Sequence, residues 1–154
     1  MTEVLFYHLE RRGLEDVLPG LVEKSRERGW RVLIRCESAE RADAIDNRLW
    51  TYDDRSFLPH AQKGDGDAAR QPVLITTEQG NDNGANILFL VGGAPPPDWG
   101  SEESNAYARI VLLFDGHDEA SLSAARAAWK DAKGAGHDAT YWKETPAGKF
   151  EKQQ

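Results

Sequence analysis

The stretch RIVLLFDGHDEASLSAARAAWKDAKGAGHDATYW, residues 109–142, carries the pattern that decides the fold. After its opening arginine, Arg109–Phe114 is continuously apolar, as a strand buried on both faces must be. Asp118 then offers a carboxylate to cap a helix running to about Lys133, and Gly134 and Gly136 end it. Asp138–Trp142 returns as a short final strand. A buried strand followed by a helix and another strand reads as a βαβ unit, whose helix carries the chain back for parallel pairing.

The alternation extends toward the N-terminus. Val4–His8 reads as a first strand, and Leu14, Val17, Leu18, Leu21 and Val22 recur at helical spacing. Pro19 predicts a kink or restart in that helix, and Gly29 a stop. Trp30–Cys36 is the next strand. Ser38 caps a helix through Trp50 that puts Ala42, Ile45 and Leu49 on one face. Val73–Thr77 and Ile87–Val91 are further strands, while Tyr52–Gln71 and the Pro/Gly-rich GGAPPPDWGSEESNAY read as irregular surface segments. These elements predict one α/β domain over residues 1–144, a mostly parallel central sheet flanked by helices on both sides, followed by a polar tail at 145–154.

Composition limits the function. The formal net charge is -7, yet residues 126–152 hold six basic and four acidic side chains, leaving -9 on the rest. An acidic body disfavours direct nucleic-acid binding, which draws its affinity from Lys and Arg at the phosphates. The local basic segment suits a small acidic partner, or is simply a solvated run of lysines. No window is long and apolar enough for a membrane span, and MTEVLFYHLERR lacks the marks of a signal peptide. Cys36 stands alone, which excludes an internal disulfide framework and fits a reducing compartment. A cytoplasmic protein is expected.

A βαβ domain invites a nucleotide hypothesis, but the first βα connection, HLERRGLED, offers a single Gly13. Neither GxGxxG nor GxxxxGK[ST] occurs, and Gly92-Gly93 runs into prolines rather than a helix. His8, His60, His117 and His137 are scattered, and one cysteine builds no thiolate metal site. A GxSxG nucleophile elbow is missing as well. No cofactor, metal or catalytic set is expected.

Three stretches together resemble the chi subunit family of bacterial DNA polymerase III. They are RVLIRCESAERADAIDNRLWTYDDRSFLPH (Arg31–His60), PVLI (Pro72–Ile75) and the opening stretch, Arg109–Trp142. LW…SFLPH and ARAAWK…AG, in that order, are the specific parts, and the loop at Asn81–Ala106 is the least alike. The resemblance implies a nucleotide-binding-like (Rossmann-like) topology without a phosphate loop, no catalytic activity, and a place in the clamp-loader assembly. One surface of the family binds the acidic, Phe-terminated C-terminal tail of single-stranded DNA-binding protein. Another binds the psi subunit, and a helicase competes for the same place.

At 100° per residue, Leu122, Arg126, Trp129, Lys130 and Lys133 fall on one arc of the last helix. Ser121, Ala124, Ala125, Ala128 and Ala132 occupy the neighbouring, packing arc. Leu122 and Trp129 offer apolar walls to a terminal Phe, Arg126 suits a carboxylate, Lys130 and Lys133 add positive field, and Tyr141 closes the pocket. The family's typical lysine and tyrosine are replaced here by Leu122 and Trp129, so a more apolar pocket is expected. The same residues also fit a core tryptophan beside a solvated cationic face. Trp50, Phe57, Leu58 and His60 form the second expected surface, or else cover the edge of the core. A divergent nucleotide-binding enzyme with an unfamiliar site is the alternative function.

Overall fold

The computed structural model describes residues 2–53, 59–65 and 67–153. Among them, β1 (Glu3–Leu9), β2 (Val32–Cys36), β3 (Ala61–Gln62), β4 (Val73–Thr76), β5 (Ile87–Val91), β6 (Arg109–Asp115), β7 (Asp138–Glu144) and β8 (Phe150–Gln153) form one sheet. Its order is β3-β4-β2-β5-β6-β1-β7-β8, parallel throughout except for the β7–β8 pair. Helices α1 (Leu14–Glu27), α2 (Ala39–Thr51), α3 (Glu102–Ala106) and α4 (Glu119–Gly134) accompany it.

Each face of the sheet has its own core. Val17, Leu18 and Val22 of α1 and Ala42, Ile45 and Leu49 of α2 cover Leu5, Ile34, Phe89, Val111 and Leu113. On the opposite face, Ala125, Ala128 and Ala132 of α4 meet Val4, Phe6, Ile110 and Phe114. Alanines let the helix lie close to the strands, so this face is thin and its flanks stay open. The caps at Ser38 and Asp118 form, each accepting a backbone N–H from the residue three positions on, at 3.1 Å.

Several expectations change. Pro19 does not restart α1, which runs through it without a break and with the ring buried. It stands early in the helix and forfeits one bond there, to the Glu15 carbonyl. The segment expected to be a surface loop contains α3, and its Ala94, Trp99 and Tyr107 are buried. The cause lies on β2. Arg35 is 1% exposed, and its guanidinium needs a counter-charge, which Glu103 of α3 supplies at 3.0 Å. Tyr107 donates to the same carboxylate at 2.6 Å. Within the irregular stretch 52–71, Ala61–Gln62 pairs with β4 and Ala68–Arg70 forms a 3-10 turn. The segment read as a polar tail carries β8, whose Phe150 stacks on Tyr7 with ring centroids 4.4 Å apart.

Candidate protein-docking groove

Helix α4 presents two faces to two environments. Ala125, Ala128 and Ala132 are buried, and Leu122 and Trp129 are half-buried beside them, packed on the same core as Tyr141 of β7. Arg126, Lys130 and Lys133 are exposed. Among the described residues no carboxylate lies within ion-pair distance of these three cations. Lys133 instead places its Nζ 4.5 Å from the centre of the Trp129 ring, a cation–π contact. The indole Nε1–H of Trp129 is buried and finds no hydrogen-bond partner among the described residues. Ser121 and Ala124, expected on the packing arc, are half-buried and exposed. They stand over a cavity rather than against the sheet.

Tyr141 links α4 to β1. Burial raises its phenol above the ordinary value, the Arg126 charge pulls it back, and Glu10 adds to the rise. Its hydroxyl lies 2.6 Å from His8 Nδ1, and His8 Nε2 lies 2.9 Å from Glu10 Oε1. Lys143 reaches that same oxygen at 3.3 Å, and His117 Nε2 approaches the Glu10 carbonyl at 2.7 Å. The imidazole rests on Gly116, where a Cβ would come within 1.8 Å of Nε2, so only glycine leaves the ring its place. Burial lowers the His8 pKa, while the neighbouring Glu10 raises it less.

The second expected surface is partly described. Trp50, at the end of α2, is 51% exposed, and its indole lies tilted against the His60 ring with centroids 4.3 Å apart. His60 is buried, with Nε2 2.9 Å from Asp46 Oδ1 and 3.0 Å from the Asp46 carbonyl. Phe57 and Leu58 lie outside the described residues.

The sheet also has a crevice at the kind of topological switch point where open α/β sheets hold ligands. Strands β1 and β6 are neighbours, yet α1 and α4 leave them on opposite faces, which opens a cavity of about 930 Å³ at their C-terminal ends. The turn after β1 gathers the backbone N–H groups of Glu10, Arg11 and Arg12. All three donate to Glu144 Oε1, at 3.1, 2.9 and 3.1 Å, and Arg12 Nε donates to Oε2 at 2.7 Å. Burial alone would raise the Glu144 pKa, but these donors bring it down to about 2. The donors that this turn could offer an anion are taken up by the chain's own carboxylate. Cys36, at the end of β2, is buried, and that burial pushes its thiol up to about 12, which leaves it without nucleophilic character.

A family model described as DNA polymerase III chi subunit, HolC, matches residues 1–140. The chain belongs to the DNA polymerase III chi subunit family. The probable chi subunit of Rickettsia prowazekii is 27% identical over 120 residues, which cover 75% of this chain and 71% of that protein. The chi subunit of Escherichia coli is 36% identical over 86 residues, covering 51% of this chain and 58% of that one. That of Haemophilus influenzae is 35% identical over 63 residues, 41% of this chain and 44% of that one. In this chi-family chain, the sequence pattern had brought forward α4 and Tyr141 but neither His8 nor Glu144. His8 has one signal: it continues the period-two face of Val4 and Phe6, so a polar side chain falls where an apolar one is due. Glu144 has none, because its donors are backbone groups.

Proposed function

We propose that this chi-family chain is a non-catalytic accessory subunit of DNA polymerase III, which links the clamp loader to single-stranded DNA-binding protein during replication. It does so by holding the acidic, Phe-terminated tail of that protein on the surface that α4 and β7 form around Leu122, Trp129 and Tyr141. One observation carries this reading: among the described residues, Arg126, Lys130 and Lys133 have no carboxylate within ion-pair distance, and they stand beside the half-buried Leu122, Trp129 and Tyr141. A terminal carboxylate suits Arg126, whose planar guanidinium takes both oxygens at once. The terminal phenyl ring fits the apolar wall of Leu122 and Trp129, and the two lysines draw in the acidic residues that precede it.

Calorimetric titration with an acidic peptide ending in phenylalanine tests the reading. A hydrogen bond to a charged group contributes on the order of 1.5–3 kcal/mol, so Arg126→Ala should weaken binding roughly tenfold or more. Added salt should weaken the wild type, and so should amidation of the peptide's carboxylate. Equal binding by wild type and Arg126→Ala sinks the assignment. The exposed Trp50 edge, with Phe57 and Leu58, is proposed as the surface for a second protein, the psi subunit or a helicase.

The alternative, a nucleotide-binding enzyme, has the crevice in its favour, but the donors at the turn after β1 are turned onto Glu144. A nucleotide that raises the melting temperature, with no response to the tail peptide, reverses the ranking.

A further inference from the structure

The tail pocket ends against a titratable pair that no motif announces. His8, on β1, and Tyr141, on β7, project from the α4 face of the sheet, the hydroxyl 2.6 Å from Nδ1. The proton on the imidazole is placed by its other neighbour. Nε2 sits 2.9 Å from Glu10 Oε1, out of line for a good hydrogen bond, but a bare lone pair facing a carboxylate at that distance is repulsive. Nε2 therefore carries the hydrogen, Nδ1 is bare, and the Tyr141 hydroxyl donates to it. The phenol then turns only a lone pair toward Arg126.

We propose that His8 is a positioning residue of the tail pocket, whose protonation reverses the Tyr141 hydroxyl from an acceptor to a donor facing the bound carboxylate. This inference rests on the tail-binding reading above. When His8 takes a second proton, Nδ1 becomes a donor and the Tyr141 oxygen must accept from it. The phenolic hydrogen swings away from the imidazole, into the region where the Arg126 charge is felt, and a positive charge appears behind it. Both changes favour an anion, so binding takes up protons and tightens as pH falls. The charged and titratable groups around the ring are Glu10 at the end of β1, Lys143 and Tyr141 on β7, His117 on the β6–α4 turn, and Arg126 on α4 through Tyr141. Phe114, its neighbour on β6, carries no charge. Gly116 holds the ring in place and makes the device sensitive to a single methyl group.

The test is calorimetry with the same Phe-terminated acidic peptide from pH 5.5 to 7.5, in buffers of differing ionisation enthalpy. For the wild type the affinity should rise about three- to tenfold toward pH 5.5, the worth of one modest hydrogen bond, with measurable proton uptake. His8→Gln and Tyr141→Phe should bind with no pH slope, and Gly116→Ala, which keeps His8 but displaces its ring, should lose the slope as well. His117→Gln should retain it. In the NMR spectrum, the titration midpoint of His8 should move up when peptide is added. A slope that survives in His8→Gln, or that vanishes in His117→Gln, overturns the role of His8. If Arg126→Ala weakens binding while every slope stays the same, the tail site stands and this inference alone fails. If Arg126→Ala binds as well as wild type, or no peptide binds, both fail.

Discussion

Glu144 ties the last third of the chain to the first turn after β1 through four hydrogen bonds, and its side chain is fully covered. A carboxylate held at a pKa of about 2, against 4.5 when free, contributes stability that is complete above about pH 4.5. That contribution falls away as pH drops from 4.5 toward 2, because the unfolded chain takes up the proton first. Urea unfolding should therefore show the wild type losing stability steeply in that window. Glu144→Gln should lose roughly 2–3 kcal/mol at neutral pH and show a flatter acid limb. An unchanged acid limb would mean that the carboxylate is paired equally well in the unfolded chain. Arg35 teaches a related lesson at the other end of the sheet. A strand arginine buried among leucines and valines looks like a mistake in the sequence, and it becomes sensible only once Glu103 is seen to reach it.

Among the elements, the strands and long helices were legible because their signals are local: continuous apolar runs for β2, β4, β5 and β6, helical spacing for α1, α2 and α4, and oxygen caps at Ser38 and Asp118. What escaped was set by partners distant in sequence. β8 has no apolar run, and it exists because Phe150 finds Tyr7 while the β7 edge offers free backbone groups. α3 follows from Arg35. On α4, spacing separated the packing arc from the cationic one, but it had no means of telling that Ser121 and Ala124 overhang a cavity. That depends on how far the helix start stands from the strand ends. Half of the candidate site was readable in the same way, since Arg126, Lys130 and Trp129 share one helix and one period. His8 and Gly116 come from other elements and meet Tyr141 only in space. The hairpin is testable: Phe150→Ala removes a stacked ring and should cost about 1.5–3 kcal/mol, read from urea denaturation. A loss under half a kcal/mol would show that β8 adds nothing to the fold.

As a whole, the molecule is an acidic body with one helix flank of positive charge that meets no carboxylate among the described residues, and it has a Rossmann-like sheet whose crevice lies elsewhere, at the ends of β1, β5 and β6. In the proposed role, repulsion from the acidic body would work against nucleic acid over most of the surface, and the α4 flank is where a short acidic peptide would be drawn in. No helix among the described residues is long and apolar enough to cross a membrane. The turn after β1 adds a consequence in terms of competition. A carboxylate tethered to the fold faces its four donors at an effective concentration on the order of millimolar or above. A dissolved anion of the same intrinsic affinity therefore loses to it wherever its concentration stays below that level. Cutting the tether reverses the contest. Glu144→Ala should leave three backbone N–H groups and one guanidinium facing an open pocket, and inorganic phosphate should enter it. Phosphorus NMR should then show a broadened phosphate line for the variant and a sharp one for the wild type, and two sharp lines would mean that the turn collapses once its guest is gone. A broadened line would put this chain one side chain away from an anion receptor, kept closed by an inhibitor that it carries within its own sequence.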